Sequence, residues 1–130
     1  MSDKFDSIKE EAWRQFRDYQ PVFLATSDAD QPRVRPVTLI CLEEKFWIVT
    51  GTNDSKVKQI QKNPRIEICL FLKEGDKRGY IRIAGLAKII QDRQTKTRIA
   101  KLCKFFNDFW KSPDDPSYTL IKLSIMRLNI

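Results

Sequence analysis

Two short segments carry the side chains that could do chemistry. The first is a run of six residues, Arg33-Val34-Arg35-Pro36-Val37-Thr38. In a strand, alternation would put Arg33, Arg35 and Val37 on one face. Pro36 has no N–H to donate to a neighbour, which predicts an edge or a bulge at that point. An open backbone beside two guanidinium groups could bind a planar, phosphorylated ligand; the alternative is a solvated outer face.

The second segment runs from a strand end through a glycine turn into a helix start: Thr50-Gly51-Thr52-Asn53-Asp54-Ser55-Lys56. Free N–H groups at a helix N-terminus, with a hydroxyl and an ammonium beside them, can bind an anion. Lys56 in the first turn opposes the helix dipole, and a bound phosphate would offset that mismatch. The alternative is that Asp54 or Ser55 caps the helix while Lys56 points into water.

The connection Glu43-Glu44 is short enough to join the strands that carry these two segments. If those strands form a hairpin, Thr50 at the end of one would lie near Arg33 at the start of the other. The two cationic segments would then converge. Convergence favours one compact phosphate over a long polyanion, although the net charge of +7 suits either ligand.

The sequence contains no histidine, which excludes Ser-His and Cys-His nucleophile pairs and the common His-based zinc and iron sites. A small protein without imidazole that still catalyses a reaction would take its reactivity from an organic cofactor. Cys41, Cys69 and Cys103 lie among apolar residues. Their odd number and wide spacing favour buried small hydrophobes over a disulfide or a metal site.

The length of 130 residues and the hydrophobic fraction of 42% predict a single domain over residues 1–130. No run approaches the ~18 uncharged apolar residues of a membrane-spanning helix. The first residues are acidic where a signal peptide would be basic and then apolar. We therefore expect a cytoplasmic protein that does not associate with membranes.

Hydrophobic periodicity predicts mostly strands. Helices are expected over residues 5–19, 55–62 and about sixteen residues after Asp92. Strands are expected over residues 22–27, 33–42, 45–50, 66–73, 80–90 and 118–128. Five or six strands with only short helical insertions favour a small antiparallel β-barrel.

At the two chemical segments the sequence resembles the pyridoxamine 5'-phosphate oxidase-like superfamily of split-barrel flavin-binding proteins. The similarity covers about residues 21 to 85, through the stretches RVRPVTLI, FWIVTGTNDSKVKQIQKNPRIEICLF and YIRIAG, and weakly the last helix and strand. The resemblance implies a mainly β fold, a six-stranded antiparallel split barrel of the FMN-binding type with peripheral helices.

The resemblance also implies a set of cofactor contacts. The backbone of residues 33–38 would lie along the isoalloxazine ring. Arg33 and Lys56, with Ser55 beside them, would hold the flavin phosphate. Thr50 and Gly51 would contact the ring or the ribityl chain, and Thr52 belongs to the same turn.

A homodimer with flavin at the subunit interface is a further implication, in which Trp110, Phe109 or Trp47 of the other subunit would cover the ring. The alternative, which residues of this type favour, is that each of the three belongs to the core. A glutamine that often contacts flavin in the family is replaced near Tyr80, and the C-terminal Trp and Arg elements that bind pyridoxal phosphate have no counterpart. The resemblance is therefore to a short general flavin-binding member and not to the true oxidase.

The sequence predicts an FMN-binding flavoprotein, a reductase or oxidase that acts on a small molecule by hydride transfer, with no metal and no assigned catalytic acid or base. The deazaflavin F420 could replace FMN in the same fold. A flavin-binding protein that stores or senses flavin is a second alternative. A third is a small basic barrel that binds single-stranded nucleic acid, which the scatter of lysines over every element disfavours.

Overall fold

The structure is a computed structural model that describes residues 17–129. Within that range it has six strands: β1 (Tyr19–Asp28), β2 (Gln31–Leu42), β3 (Lys45–Gly51), β4 (Arg65–Glu74), β5 (Lys77–Ile90) and β6 (Tyr118–Asn129). Two helices, α1 (Ser55–Lys62) and α2 (Arg93–Leu102), and a 3-10 helix (Phe106–Asp108) complete it. The helix predicted over residues 5–19 lies almost entirely outside the described residues, and Tyr19 already belongs to β1.

The six strands close into an antiparallel barrel in the order β1-β2-β3-β6-β5-β4. The predicted mainly β fold, a six-stranded antiparallel split barrel, is confirmed. The pairing of β2 changes along its length. It pairs with β1 throughout, from Asp28↔Gln31 to Tyr19↔Ile40, but pairs with β3 only at residues 40–42. β3 pairs with β6 from Phe46 to Gly51, whereas its pairing with β2 ends at Ile40. The part of β2 that precedes Ile40 in the chain therefore lies apart from β3, and the barrel is split there.

Strand alternation sorts the apolar side chains into two clusters. Phe46 and Ile48 of β3 point into the barrel and pack with Leu24, Leu39 and other inward residues. Trp47 and Val49, on the opposite face of the same strand, pack with α2 and the segment after it. Alternation along the strand therefore fixes which side of β3 lines the barrel.

The second helix is shorter than predicted. Asp92 caps it, because its carboxylate accepts a hydrogen bond from the Thr95 N–H. The helix ends at Leu102, however, and Cys103 is already extended. The ring of Phe106 packs 4.8 Å from Tyr118 and 5.2 Å from Trp110. These contacts with the barrel override the helical spacing and turn the chain into a 3-10 helix.

The cysteines are less uniform than predicted. Cys103 is buried, whereas Cys41 and Cys69 are only half-buried. Burial raises the pKa of the Cys41 thiol to about 12, with Asp18 adding to the shift. No helix among residues 17–129 is long and apolar enough to cross a bilayer.

Candidate functional site

A groove of about 940 Å³ opens where β2 and β3 separate. Residues 36–38 of β2 form one side and residues 48–51 of β3 form the other. Its size falls within the range of about 300–1,000 Å³ that is usual for small-molecule and cofactor sites. The split of the barrel therefore creates the candidate site.

The β2 side of the groove presents open backbone. Successive residues of an antiparallel strand direct their N–H and C=O groups to opposite sides. Cys41 donates its N–H to the Asp18 carbonyl at 2.8 Å, which is the β1 side. By the same alternation the backbone groups of Thr38 and the carbonyl of Pro36 face the groove. Because the backbone of Pro36 points away from β1, its missing N–H removes no hydrogen bond between β1 and β2. The predicted position of Pro36 at an open edge is confirmed.

At the β3 end of the groove, Thr50, Asp54 and Lys56 form a hydrogen-bonded cluster. The Thr50 hydroxyl donates to Asp54 Oδ2 at 2.7 Å, and Lys56 Nζ donates to the same oxygen at 3.1 Å. These bonds hold the pKa of the Asp54 carboxyl below its ordinary value. Asp54 occupies the N-cap position of α1 but makes no side-chain capping bond, and the Lys56 side chain is only 14% exposed. The alternative in which the Asp54 side chain caps the helix and Lys56 points into water is therefore not what the structure shows.

Arg35 connects β2 to α1. Its guanidinium donates to the Thr26 hydroxyl at 2.8 Å and to Gln59 Oε1 at 2.7 Å. Gln59 lies one turn beyond Lys56 on α1. Burial, with a contribution from Arg33, lowers the pKa of Arg35. Arg35 thus fixes the helix that carries Lys56.

Arg33 lies farther away than expected. Its side chain pairs with Asp28 at 3.5 Å, near the tip of the β1–β2 hairpin. The expectation that Arg33 would lie near Thr50 assumed a β2–β3 hairpin paired along its whole length, but that pairing ends at Ile40. Arg33 therefore does not line the groove, whereas residues 36–38 of the same strand do.

Seven of the twelve predicted contact residues line this groove: Pro36, Val37, Thr38, Thr50, Gly51, Lys56 and Trp110. The other five lie elsewhere. Arg33 pairs with Asp28, Arg35 with α1, Val34 is exposed on the outer sheet face, and Ser55 is exposed. The Thr52 hydroxyl donates to the Pro116 carbonyl at 2.8 Å, so it fastens the turn to the loop before β6.

An aromatic wall from the segment after α2 faces the strands. It includes Phe105, Phe109 and Trp110 of the same chain, with Asp108 beside them. Phe109 is 68% exposed, and its ring lies 5.6 Å from that of Trp110. Trp47 belongs to the core instead, where its Nε1 donates to the Leu42 carbonyl. Sequence reasoning did not assign Pro21, Ile48, Val49, Phe105 or Asp108 to the site, and it gave Asp54 only the role of a helix cap. The tertiary fold brings these residues to the groove.

A sequence profile of the pyridoxamine 5'-phosphate oxidase family matches residues 8–130, which is nearly the whole chain. The chain belongs to this family. Membership in the pyridoxamine 5'-phosphate oxidase-like family confirms the resemblance seen in the two chemical segments. Among curated proteins, none matches the sequence.

Solved structures agree with the family assignment. A NimC/NimA family protein from Clostridium acetobutylicum is 27% identical, with a TM-score of 0.74, over 88% of this chain and 81% of that one. A candidate pyridoxamine 5'-phosphate oxidase from Listeria innocua is 23% identical, with a TM-score of 0.72, over 98% and 95%. The heme storage protein HutZ from Vibrio cholerae is 16% identical, with a TM-score of 0.68, over 94% and 92%. Members of one fold therefore carry different names and ligands.

Proposed function

We propose that the protein is an FMN-binding flavoprotein, a flavin-dependent reductase or oxidase of a small molecule. The observation that carries this proposal is the groove between β2 and β3, which combines an open backbone edge, a covered lysine and an aromatic wall. Membership of the pyridoxamine 5'-phosphate oxidase family supports a flavin as the ligand. The absence of histidine disfavours heme, because the sequence offers no imidazole to ligate the iron.

The groove residues fit a flavin by their chemistry. Thr38 offers a backbone donor and acceptor to the polar edge of a ring, and Val37 and Val49 offer apolar contact to its faces. Lys56 provides an ammonium for a phosphate. When bound, the flavin would supply hydride acceptance and donation. The chain's own residues would bind and orient it, and Phe109 and Trp110 would keep water from one side of the groove.

The remaining predicted contacts are part of the proposal in altered roles. Arg35 acts through Gln59, by holding α1 and thereby Lys56 in place. Arg33 would have to leave Asp28 to reach a phosphate, and Ser55 would have to turn from solvent. Thr52 supports the turn that ends β3.

A homodimer belongs to the same proposal, and the outer face of β2, β1, β4 and β5 supports it. Phe23 lies between Pro36 on β2 and Cys69 on β4, and Phe71 is the cross-strand partner of Tyr80. Phe71 is 76% exposed, and Phe23 and Tyr80 are about half exposed. Exposed aromatics that adjoin one another across strands are typical of an association surface. Pro36 also lines the groove, so a second copy on this face would reach the flavin site.

The visible spectrum of the purified protein tests the proposal. Flavin absorption, with FMN identified by mass spectrometry of the released chromophore, is the expected result. A colourless protein that binds neither FMN nor F420 at micromolar concentration would refute it, and a heme Soret band would assign the groove to heme. Oxidation of reduced nicotinamide by the loaded protein then distinguishes an enzyme from a protein that stores or senses flavin.

A further inference from the structure

Lys56, the cation that lines the groove, already has a carboxylate partner within the chain. Among the described groove residues the charged side chains are Lys56, Asp54 and Asp108. Lys56 Nζ lies 3.1 Å from Asp54 Oδ2, and its side chain is largely covered. An anion that approaches Lys56 must therefore either displace the Asp54 carboxylate or bind beside it.

Several contacts hold the Asp54 carboxylate in that place. The hydroxyl of Thr50 donates to it at 2.7 Å, and Thr50 is buried. Lys56 Nζ donates to the same carboxylate oxygen at 3.1 Å. The carboxylate faces Thr50 and Lys56 instead of capping α1. The Asp54 side chain is 53% exposed, so solvent screens its charge in part. The charged group closest to it is Lys56, and an anion bound at Lys56 would feel both charges.

We propose that Asp54 is a specificity-determining residue that lowers the preference of the groove for phosphorylated flavin, so that riboflavin binds almost as well as FMN. This inference rests on the proposed flavin function. A phosphate dianion would be attracted less strongly by Lys56, whose charge is partly neutralised, and would be repelled by the Asp54 carboxylate. The ribityl end of riboflavin is neutral, so neither effect changes its binding. The carboxylate thus weakens the binding of the phosphate and leaves the contacts of the ring unchanged.

Fluorescence titration with FMN and with riboflavin tests the inference on the full chain. In the wild type we expect the two dissociation constants to differ by less than about tenfold. Asp54→Asn should tighten FMN by about tenfold or more and change riboflavin by less than about twofold. Asparagine keeps a partner for Thr50 and is a good N-cap residue, so α1 should persist. Asp54→Ser, also uncharged and a good N-cap residue, provides a second variant, and thermal unfolding checks that each variant folds.

Asp108→Asn is the matched control, since it removes one negative charge from the same groove without touching Lys56. It should tighten FMN much less than Asp54→Asn. Equal tightening by both variants would overturn the inference, because the general potential of the groove would then explain the effect. Unchanged or weaker FMN binding in Asp54→Asn and Asp54→Ser would also overturn it and would make Asp54 a positioning residue for Lys56. If no variant binds either flavin, the proposed function fails along with the inference; if flavins bind without the shift in selectivity, only the inference fails.

Discussion

Lys56 is the residue on which the anionic end of the proposed ligand depends. We expect Lys56→Ala to weaken FMN binding by about 1.5–3 kcal/mol, as for other charged hydrogen bonds to phosphate. Riboflavin affinity should be unchanged, because riboflavin has no phosphate to lose. Isothermal titration of both flavins measures the difference.

Lys62→Ala serves as the control for this change, since Lys62 is an exposed lysine in the last turn of the same helix. It should leave both affinities within about twofold of the wild type. Equal losses of FMN and riboflavin in Lys56→Ala would mean that the variant disturbs the groove as a whole. Unchanged FMN affinity in Lys56→Ala would mean that the phosphate binds elsewhere.

At the scale of residues, the sequence indicated both segments that border the groove, but only some of the residues that line it. Pro36 and Lys56 were predictable because a missing N–H and a lysine in a first turn are local features. The placement of the Arg33 and Arg35 side chains was not. It depends on Asp28 and Gln59, each brought close by pairing or packing that the local sequence does not show.

At the scale of elements, the junction of β5 and β6 depends on one glycine. The pairing register shifts between Ala84 and Gly85. A Cβ at position 85 would lie 2.1 Å from the Ser124 carbonyl oxygen, which is backbone and cannot move aside alone. We expect Gly85→Ala to lower the free energy of unfolding by about 2 kcal/mol or more, measured by urea denaturation.

Gly79→Ala is the matched control on the same strand, because a Cβ there has no neighbour within 4 Å. It should change the free energy of unfolding by no more than about 0.5 kcal/mol. A Gly85→Ala variant as stable as Gly79→Ala would show that β5 and β6 can move apart at position 85 with little loss in the free energy of unfolding. The bulge would then not constrain the register of the barrel.

The elements themselves were largely predictable, and α1 was predicted at its observed bounds. Ser55 and Lys62 are flanked by Asp54 and by Asn63-Pro64, which are local start and stop signals. The end of α2 was predicted too late. The residues after Leu102 keep helical spacing, but the packing of Phe106 against Tyr118 decides their path.

At the scale of the whole molecule, stability should fall in alkaline solution. Burial raises the pKa of Cys41 from 9.0 to about 12, and also raises those of Cys103 and Tyr118. Above about pH 9 the unfolded chain therefore loses protons that the native chain keeps, and the free energy of unfolding decreases as pH rises. Melting temperatures between pH 7 and pH 11 measure this decrease.

Cys41→Ala isolates one contribution to that slope. The variant should be less stable at neutral pH, because Cys41 packs against the core. Its melting temperature should nevertheless fall less steeply above pH 9 than that of the wild type. Identical slopes for the two proteins would show that the Cys41 thiol does not retain its proton in the native state.

Association is the other property of the whole molecule that can be tested. Phe71→Asp places a charge at the centre of the exposed aromatic face, and we expect it to convert a dimer into monomers in sedimentation equilibrium. Leu102→Asp, at an exposed apolar position at the end of α2, is the control and should remain dimeric. A monomeric wild type, or a dimer that Phe71→Asp leaves intact, would contradict the proposed interface.

The sequence by itself determined the six strands, their inward and outward faces and the position of α1, because hydrophobic alternation and turn residues act locally. It also carried the family resemblance. Only the tertiary structure decided that β2 leaves β3 beyond Ile40, that Phe109 faces the opened groove and that Asp54 pairs with Lys56. The physical reason is that a groove is built from residues far apart in the chain, and their distances and mutual charges exist only after the barrel has closed.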